Sequence, residues 1–174
     1  MFLKNFIFLD FSLEQKYIII LVRGRIYSKK ILSLNRSENI SNIFFSFTKK
    51  NKIKIDNSFC LFVNLGPGNI ISIRNSIVFA KMIAMTLDCK LLGFSNYQLQ
   101  KLNNIKANKA LLTLGRKNLL LDLSKKKVTK LSMHEVKKFQ SFKSKSIYNK
   151  KIIKNLILSK NFIKKVFPIS YSNV

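Results

Sequence analysis

The sequence predicts a mixed α/β protein in which the element order β-β-β-α-β-α occurs twice along 174 residues. Short apolar runs such as "YIIILV" and "FCLFV" have the length of strands, and no uninterrupted apolar run approaches the length of a membrane span. Between these runs, apolar residues recur at helical spacing. A weaker copy of the same order follows in the second half, and this repetition favours a duplicated α/β architecture.

The first half opens with strands and continues into a helix. Three strands are predicted, at residues 6–11, 17–23 and 25–33. Gly24 forms the tight turn of a hairpin between the second and the third. Asn35 and Glu38 have the spacing of a capping box at the start of the helix. Phe45 lies off the main apolar face of this helix, which contains Ile40, Ile43, Phe44 and Phe47.

The second helix carries more apolar surface than a sheet requires. The elements around it are a buried strand at 59–64, the helix at 69–88 and a strand at 90–94. One stripe of the helix contains Ile70, Ile73, Ile77, Ala80, Ala84 and Leu87. The other contains Ile71, Val78, Met82 and Met85. Because a helix on a sheet needs one stripe, this helix is either buried on two sides or also meets another protein.

The turn Gly66-Pro67-Gly68 before this helix lacks the features of a phosphate loop. A Walker loop has Gly-Lys-Ser/Thr at the helix start, whereas Asn69 follows the second glycine here. Pro67 also removes a backbone donor. We therefore predict a sharp strand-to-helix turn in which the two glycines supply unusual backbone angles and Asn69 caps the helix.

The second half repeats the order with shorter strands. Ser95 and Gln98 are spaced to cap a connecting helix, and Ser132 and Glu135 form a second capping box. The remaining predicted elements are strands at 109–114, 118–123, 127–131 and 145–148 and a helix at 150–160.

The chain is strongly basic, and the charge is uneven. The net charge of +26 comes from 28 Lys and 5 Arg against 7 acidic residues. Residues 1–92 contribute +9 and residues 93–174 contribute +17. Because phosphate recognition favours the Arg fork, the excess of Lys points mainly to an AT-rich genome, although such a surface still attracts RNA. We divide the chain into a lobe at 1–94 and a shorter, more basic lobe at 95–174.

Few residues could support catalysis or bind a metal. His134 is the only histidine, so neither a Ser-His-Asp triad nor a His-based metal site is favoured. Cys60 and Cys89 lack metal-ligand spacing, and we expect buried thiols in a reducing compartment. Asp10 follows an apolar strand, where it is either a polar strand end or a phosphate-loop carboxylate.

One long stretch resembles a known family. "FVNLGPGNIISIRNSIVFAKMIAMTLDCKLLGFS" is similar to the signature of the TsaB family. In that signature, a strand leads into Gly-Pro-Gly-Ser-Phe-Thr-Gly-Leu-Arg, an Ala-Lys-Gly-rich helix and a Gly-Val-Ser-Ser segment. "FLDFSLEQKYIIILVRGRI" is similar to the opening strand and hairpin of the family. The matching signature residues are Gly66, Pro67, Gly68, Arg74, Ala80, Lys81, Gly93 and Ser95.

The resemblance implies a fold and a function. TsaB proteins have the actin-like/sugar-kinase (RNase H-like) fold with two lobes, so it implies the same fold here with a shortened second lobe. They are non-catalytic subunits in the bacterial synthesis of threonylcarbamoyladenosine next to the anticodon of tRNA. They pair with the catalytic paralogue TsaD through their first two helices, and an ATPase, TsaE, joins the complex. The resemblance therefore implies a cytoplasmic accessory subunit that binds no cofactor, with ATP used elsewhere in the complex.

The resemblance also assigns roles to residues of this chain. Gly66, Pro67 and Gly68 form a structural turn, and Asp10 and Ser12 are a possible vestige of a phosphate loop. No catalytic residue and no metal ligand is expected. The expected partner interface contains Ile40, Ile43, Phe44, Phe47, Ile73, Arg74, Ile77, Ala80, Lys81 and Ala84.

Two other classes of function stay open on sequence grounds. The chain could be a small ATP-dependent phosphotransferase or a protease-like enzyme of the same superfold, in which case Asp10 would be essential. It could also be a stand-alone basic RNA-binding protein. A homodimer through the same helices is a further alternative to the heterodimer.

Overall fold

The computed structural model describes residues 5–32, 39–103, 108–143, 148–159 and 161–169. The first half contains β1 (Asn5–Asp10), β2 (Lys16–Val22), β3 (Arg25–Ile31), α1 (Ile40–Lys50), β4 (Phe59–Asn64), α2 (Ile70–Leu87) and β5 (Lys90–Phe94). The second half contains α3 (Asn96–Asn103), β6 (Lys109–Leu114), β7 (Lys117–Asp122), β8 (Lys127–Leu131), α4 (Met133–Val136), a 3-10 helix (Lys137–Phe142) and α5 (Lys150–Leu158).

Five strands form a mixed sheet in the order β3-β2-β1-β4-β5. The hairpin strands β1, β2 and β3 pair antiparallel, while β4 lies parallel to both β1 and β5. Since the carboxyl ends of parallel strands meet at one edge of a sheet, the residues that end β1, β4 and β5 are brought close together. This edge holds the first candidate site.

The sheet is covered on both faces. Alternate residues of each strand point to opposite faces, so one face presents Ile7, Leu9, Leu61 and Val63 to α1 and α2. The other face is aromatic, and the rings of Phe8 and Phe62 stack with their centroids 4.7 Å apart. Residues of α5 and of the C-terminal segment cover this second face: Ile153, Leu156 and Phe162. Burial on both faces explains why β4 is apolar from Phe59 to Val63.

A second, antiparallel sheet has the order β6-β7-β8. One of its faces packs with Leu13 and Tyr97 from outside the sheet. The opposite face is covered by Val136 and Phe139. A C-terminal segment, 161–169, returns to the edge of the first sheet, where Ile163 pairs with Gly93 of β5.

The sequence predicted the type and order of most of these elements. Ser132 and Glu135 form the predicted capping box, and Ser95 and Gln98 cap α3 reciprocally. The capping box of Asn35 and Glu38 lies outside the described residues, and α1 begins at Ile40 after Asn39 as N-cap.

The second copy of the element order is seen only in part. Three strands and a short helix recur, but most of the strand predicted at 145–148 lies outside the described residues. The mixed α/β class is therefore established, while two duplicated lobes and the shortening of the second stay predictions, as do the boundaries of the lobes.

Among the described residues, α2 alone has the length and composition of a membrane span. In this fold it is a sheet-covering helix, because Ile73, Ile77 and Ala80 are buried in the core formed with the first sheet. Arg74 and Lys81 lie exposed along its length.

Candidate functional site

The first candidate site is a buried polar network at the carboxyl edge of the parallel strands. Asp10 ends β1 and Asn64 ends β4, and both side chains are fully buried. A buried charge is tolerated only when its hydrogen bonds are made. The sequence predicted this position for Asp10 because it follows an apolar strand.

Neighbours from both halves of the chain bond to the Asp10 carboxylate. Its Oδ1 accepts hydrogen bonds from the backbone N–H of Ser12 at 3.0 Å and from the Ser12 hydroxyl at 2.6 Å. Its Oδ2 accepts one from the Tyr148 hydroxyl at 2.6 Å. Both oxygens are thus occupied by groups of the chain itself.

The network continues beneath the Gly-Pro-Gly turn. Asn96 donates to the Ser12 hydroxyl at 3.0 Å and to the carbonyl of Pro67 at 2.7 Å. Asn64 donates to Asn96 at 2.8 Å and accepts from the backbone N–H of Gly66 at 2.9 Å. These bonds join the turn to the Asp10 loop.

The turn packs directly against the Asp10 loop. A Cβ atom at Gly68 would lie 2.2 Å from the carbonyl oxygen of Ser12, so only glycine fits there. Gly66 has a φ of 96°, in the region that favours glycine, and the Gly66–Pro67 peptide is cis. The two glycines therefore serve different needs, since Gly68 permits a close approach and Gly66 an unusual backbone angle.

The backbone donors of the turn are used within the chain. The N–H of Asn69 bonds to the carbonyl of Ser12 at 2.7 Å, and the N–H of Gly66 is held by Asn64. The side chain of Asn69 caps α2 by accepting from Ser72. A phosphate would need several such donors to be open, so this arrangement is built for packing.

Tyr148 has a perturbed environment. Burial raises the pKa of its hydroxyl well above the usual range, and the charge of Asp10 adds to this effect. Burial also raises the pKa of Tyr17, whose ring centroid lies 5.2 Å from that of Tyr148. The Tyr148 hydroxyl therefore stays protonated and can donate to Asp10 over the whole physiological pH range.

Sequence reasoning missed three members of this network. Asn64 and Asn96 carried a weak signal, because each is polar and stands at the end of an apolar strand or just after one. Tyr148 carried none, since it lies 138 residues from Asp10 along the chain.

The second candidate site is an exposed apolar surface on α1 and α2, which we call the α1–α2 face. Its most exposed members are Met85 at 84 % and Ile71 at 69 % of their full accessibility. The complete set is Phe45, Ile71, Val78, Met82 and Met85. These are the second stripe of α2 and the off-face residue of α1 that the sequence analysis singled out.

The residues predicted as the partner interface divide into two groups. Arg74 and Lys81 are exposed and Ala84 is half-buried. The other seven are buried in the chain's own core because they belong to the stripes that face the sheet: Ile40, Ile43, Phe44, Phe47, Ile73, Ile77 and Ala80. Those seven are placed to support the two helices from within, and the α1–α2 face is the part that a partner could reach.

A groove lies beside this face, between the start of α1 and the first two thirds of α2. Its volume is about 440 Å³. The residues that line it are Phe11, Asn39, Ile40, Ser41, Ser72, Asn75, Val78, Phe79 and Met82. Val78 and Met82 belong to both features, so the groove and the face form one surface.

Lys81 stands at the border of this surface. Its Nζ lies 4.8 Å from the centre of the Phe167 ring, which belongs to the C-terminal segment and is itself exposed. The segment is held by the N–H of Ile169, which donates to the carbonyl of Leu65 at 2.7 Å. The end of the chain therefore contributes an exposed ring next to α2.

No metal centre is found among the described residues, where no three His, Cys, Asp or Glu side chains cluster. His134 is exposed in α4. Cys60 and Cys89 are buried, and burial raises the pKa of the Cys89 thiol.

Comparison with known proteins adds a fold assignment. No protein-family model and no curated protein matches the sequence. The solved structure of YeaZ from Pseudomonas aeruginosa matches with a TM-score of 0.63 and 11 % identity, covering 97 % of this chain and 100 % of that chain. An uncharacterised protein with similarity to peptidase YeaZ from Pseudomonas aeruginosa matches with a TM-score of 0.64 and 12 % identity over the same shares. The chain therefore has the α/β fold of these YeaZ structures, in agreement with the mixed α/β class expected from the sequence.

Proposed function

We propose that this chain is a non-catalytic subunit that binds a TsaD-type catalytic paralogue, and that it supports threonylcarbamoyl transfer to the adenosine next to the anticodon of tRNA. The observation that carries the proposal is the α1–α2 face, which places an apolar surface on the two helices expected to form the partner interface. The likeness to YeaZ (TsaB) supports the same role through the fold.

The composition of the α1–α2 face suits a protein partner. Met and Phe are enriched in the cores of interfaces, where charged residues are depleted. Arg74 and Lys81 flank the stripe of α2 and would form a polar rim. A contiguous apolar patch with such a rim is typical of a binding site on a soluble protein.

The closed network around Asp10 supports an accessory role. A phosphotransferase of the same superfold would need this carboxylate free for a metal-bound phosphate, whereas here it bonds to Ser12 and Tyr148. We therefore propose that this chain has no catalytic residues and binds no cofactor, and that ATP is used elsewhere in the complex by a TsaE-type ATPase. The complex would act in the cytoplasm, with tRNA contacted weakly through the basic surface or through the partner.

The direct test is co-purification of this chain with the TsaD-type protein, using Val78→Asp to disrupt the interface. Val and Asp have similar helix propensities, and the position is exposed, so the helix should remain folded. A buried charge at the interface should lower the affinity at least about ten-fold, since an unpaired charge in an apolar contact costs more than 1.4 kcal/mol.

Ser28→Asp provides the matched control, because it adds the same charge on the exposed edge strand β3. Pairing that survives Val78→Asp, or that is lost equally in both variants, would contradict the proposed interface. Depletion of the protein should then lower the threonylcarbamoyladenosine content of tRNA, and an unchanged content would exclude the proposed role. Sedimentation of the chain alone distinguishes a homodimer through the same face from a monomer.

A further inference from the structure

In the second sheet, two lysines lie on either side of an aspartate at paired positions of the three strands. The register pairs Lys109 of β6 with Asp122 of β7, and Asp122 with Lys127 of β8, so the three side chains point to the same face. The 3-10 helix covers this face of the sheet. Leu111 and Leu120 form the next residue pair that points to the same face, and they pack with Phe139 of that helix. Both lysines are exposed.

An aromatic ring stands next to one of these two lysines. The Nζ atom of Lys109 lies 5.6 Å from the centre of the Phe139 ring. That ring contacts Phe142, with the two centroids 6.3 Å apart, and Phe142 is 36 % exposed. Lys143 follows directly and forms a bridge with Leu111, which fixes its place beside the sheet. We call these residues the basic–aromatic patch: Lys109, Lys127, Phe139, Phe142 and Lys143.

Asp122 lies at the same level of the sheet, but its single negative charge offsets only part of the positive charge of the three lysines. Its Oδ1 accepts hydrogen bonds from Ser124 N–H at 3.0 Å, from the Ser124 hydroxyl at 2.7 Å and from Lys125 N–H at 2.8 Å. These bonds lower the pKa of the carboxyl, the one from Lys125 most. They also fix the turn before Lys127, so this lysine is presented from an ordered position.

We propose that the basic–aromatic patch binds single-stranded RNA. Lys109, Lys127 and Lys143 would contact consecutive phosphates, and a base would stack on the exposed ring of Phe142. Proteins that bind single strands combine a positive surface with aromatic side chains in this way, because every base offers a π-face. That this RNA is a tRNA rests on the proposed function. The test of the patch itself does not involve the partner protein.

The ring distinguishes this surface from the general positive charge of the chain. Exposed lysines occur throughout the protein and would attract any polyanion. A partly exposed aromatic ring next to Phe139 and Lys143 adds a contact that a duplex cannot use, because its bases are already stacked. An anionic membrane would need a wider apolar surface than one partly exposed ring.

The experiment measures binding of the full chain to a short single-stranded RNA and to a duplex of the same sequence, by fluorescence anisotropy at several salt concentrations. The first variant is Lys109→Gln with Lys127→Gln. It should weaken binding of the single strand about ten-fold or more, and it should reduce the slope of log K against log salt by about 1.4, since each phosphate contact contributes about 0.7. Lys50→Gln with Lys54→Gln removes two exposed lysines of the first half and is the matched control.

The second variant is Phe142→Leu, which keeps an apolar side chain beside Phe139 but removes the ring. Loss of one stacked base should lower the affinity for the single strand about five-fold or more and leave the duplex almost unaffected. Thermal unfolding of each variant checks that the fold is retained.

Three results would overturn the proposal. The control pair could weaken binding as much as the patch pair, which would show general charge attraction. Phe142→Leu could leave the single-strand affinity unchanged. The patch variants could instead lose binding to phosphatidylglycerol vesicles while keeping RNA affinity, which would assign the patch to a membrane. None of these results bears on pairing with the TsaD-type protein, which co-purification measures separately.

Discussion

Asp10 is a fully buried carboxylate whose hydrogen bonds are made within the chain. It ends β1 beside the Gly-Pro-Gly turn, where the sequence left open either a polar strand end or a phosphate-loop carboxylate. Yet Ser12 and Tyr148 occupy both of its oxygens. The hydrogen bonds of the Asp10 carboxylate therefore fix the loop that contains Ser12 and join the first half of the chain to Tyr148 in the second. The same chemistry that would bind a metal-bound phosphate is satisfied internally.

The bond between Tyr148 and Asp10 should be measurable as a coupling energy. Tyr148→Phe removes one hydrogen bond to a buried charge and should lower the free energy of unfolding by about 2 kcal/mol. The combined change with Asp10→Asn should cost less than the sum of the two single changes, because both remove the same bond. Chemical denaturation of the four proteins measures this, and strictly additive costs would contradict the bond.

The same bond predicts a dependence on alkaline pH. The pKa of the Tyr148 hydroxyl is raised in the folded state. The protonated hydroxyl therefore contributes fully to the free energy of unfolding below about pH 10, where tyrosine in the unfolded chain is also protonated. This contribution is lost as the pH rises from there through the pKa of the folded state. Tyr148→Phe should therefore lose less stability between neutral and strongly alkaline pH than the unchanged chain. Tyr97, whose pKa is also raised by burial, remains in both proteins and cancels in the comparison. Equal losses in the two proteins would contradict the assignment.

At the scale of elements, α2 is the helix that connects the buried network to the exposed face. Its first turn is fixed by Asn69, whose N–H bonds to Ser12 and whose side chain caps the helix. Its inner stripe packs on the sheet, and its outer stripe is exposed. The Gly-Pro-Gly turn thus determines the direction in which the α1–α2 face points.

Truncation to alanine should destabilise the protein at one residue of α2 and have almost no effect at the next. Ile77→Ala removes a side chain that is 4 % exposed and should cost about 2–5 kcal/mol of folding free energy. Val78→Ala, one position later on the exposed stripe, should change stability by no more than about 0.5 kcal/mol. Denaturation midpoints of the two variants test this contrast. Similar costs at both positions would mean that the two stripes are not divided as described.

At the scale of the whole molecule, the net charge of +26 acts against compactness. Raising the salt concentration from about 0.01 M to about 0.15 M shortens the screening length from about 30 Å to about 8 Å. The melting temperature should therefore rise, by about 2–4 °C for each 1 kcal/mol recovered in a chain of this size. An uncharged osmolyte at equal osmolality is the control, and a melting temperature that falls with salt would contradict self-repulsion.

Local patterns explain why the sequence could predict so much of the fold. The Gly-Pro-Gly turn, the apolar run of β4 and the period of α2 are local patterns, and each was readable without the structure. The short, lysine-rich strands of the second half gave weaker patterns. Their packing depends on Leu112, Leu119 and Leu121, which bury one face of the sheet with Leu13 and Tyr97.

The type and order of most strands and helices, the strand-to-helix turn and the two apolar stripes of α2 could be predicted from the sequence alone. Periodicity fixes the angles between side chains on one helix, but it does not say on which side the neighbouring elements lie. Only the tertiary structure decided that Ile73 and Ile77 face the sheet while Val78 and Met82 face outward. For the same reason only the fold could bring Tyr148 to Asp10, since contacts between residues far apart along the chain leave no mark in a local pattern.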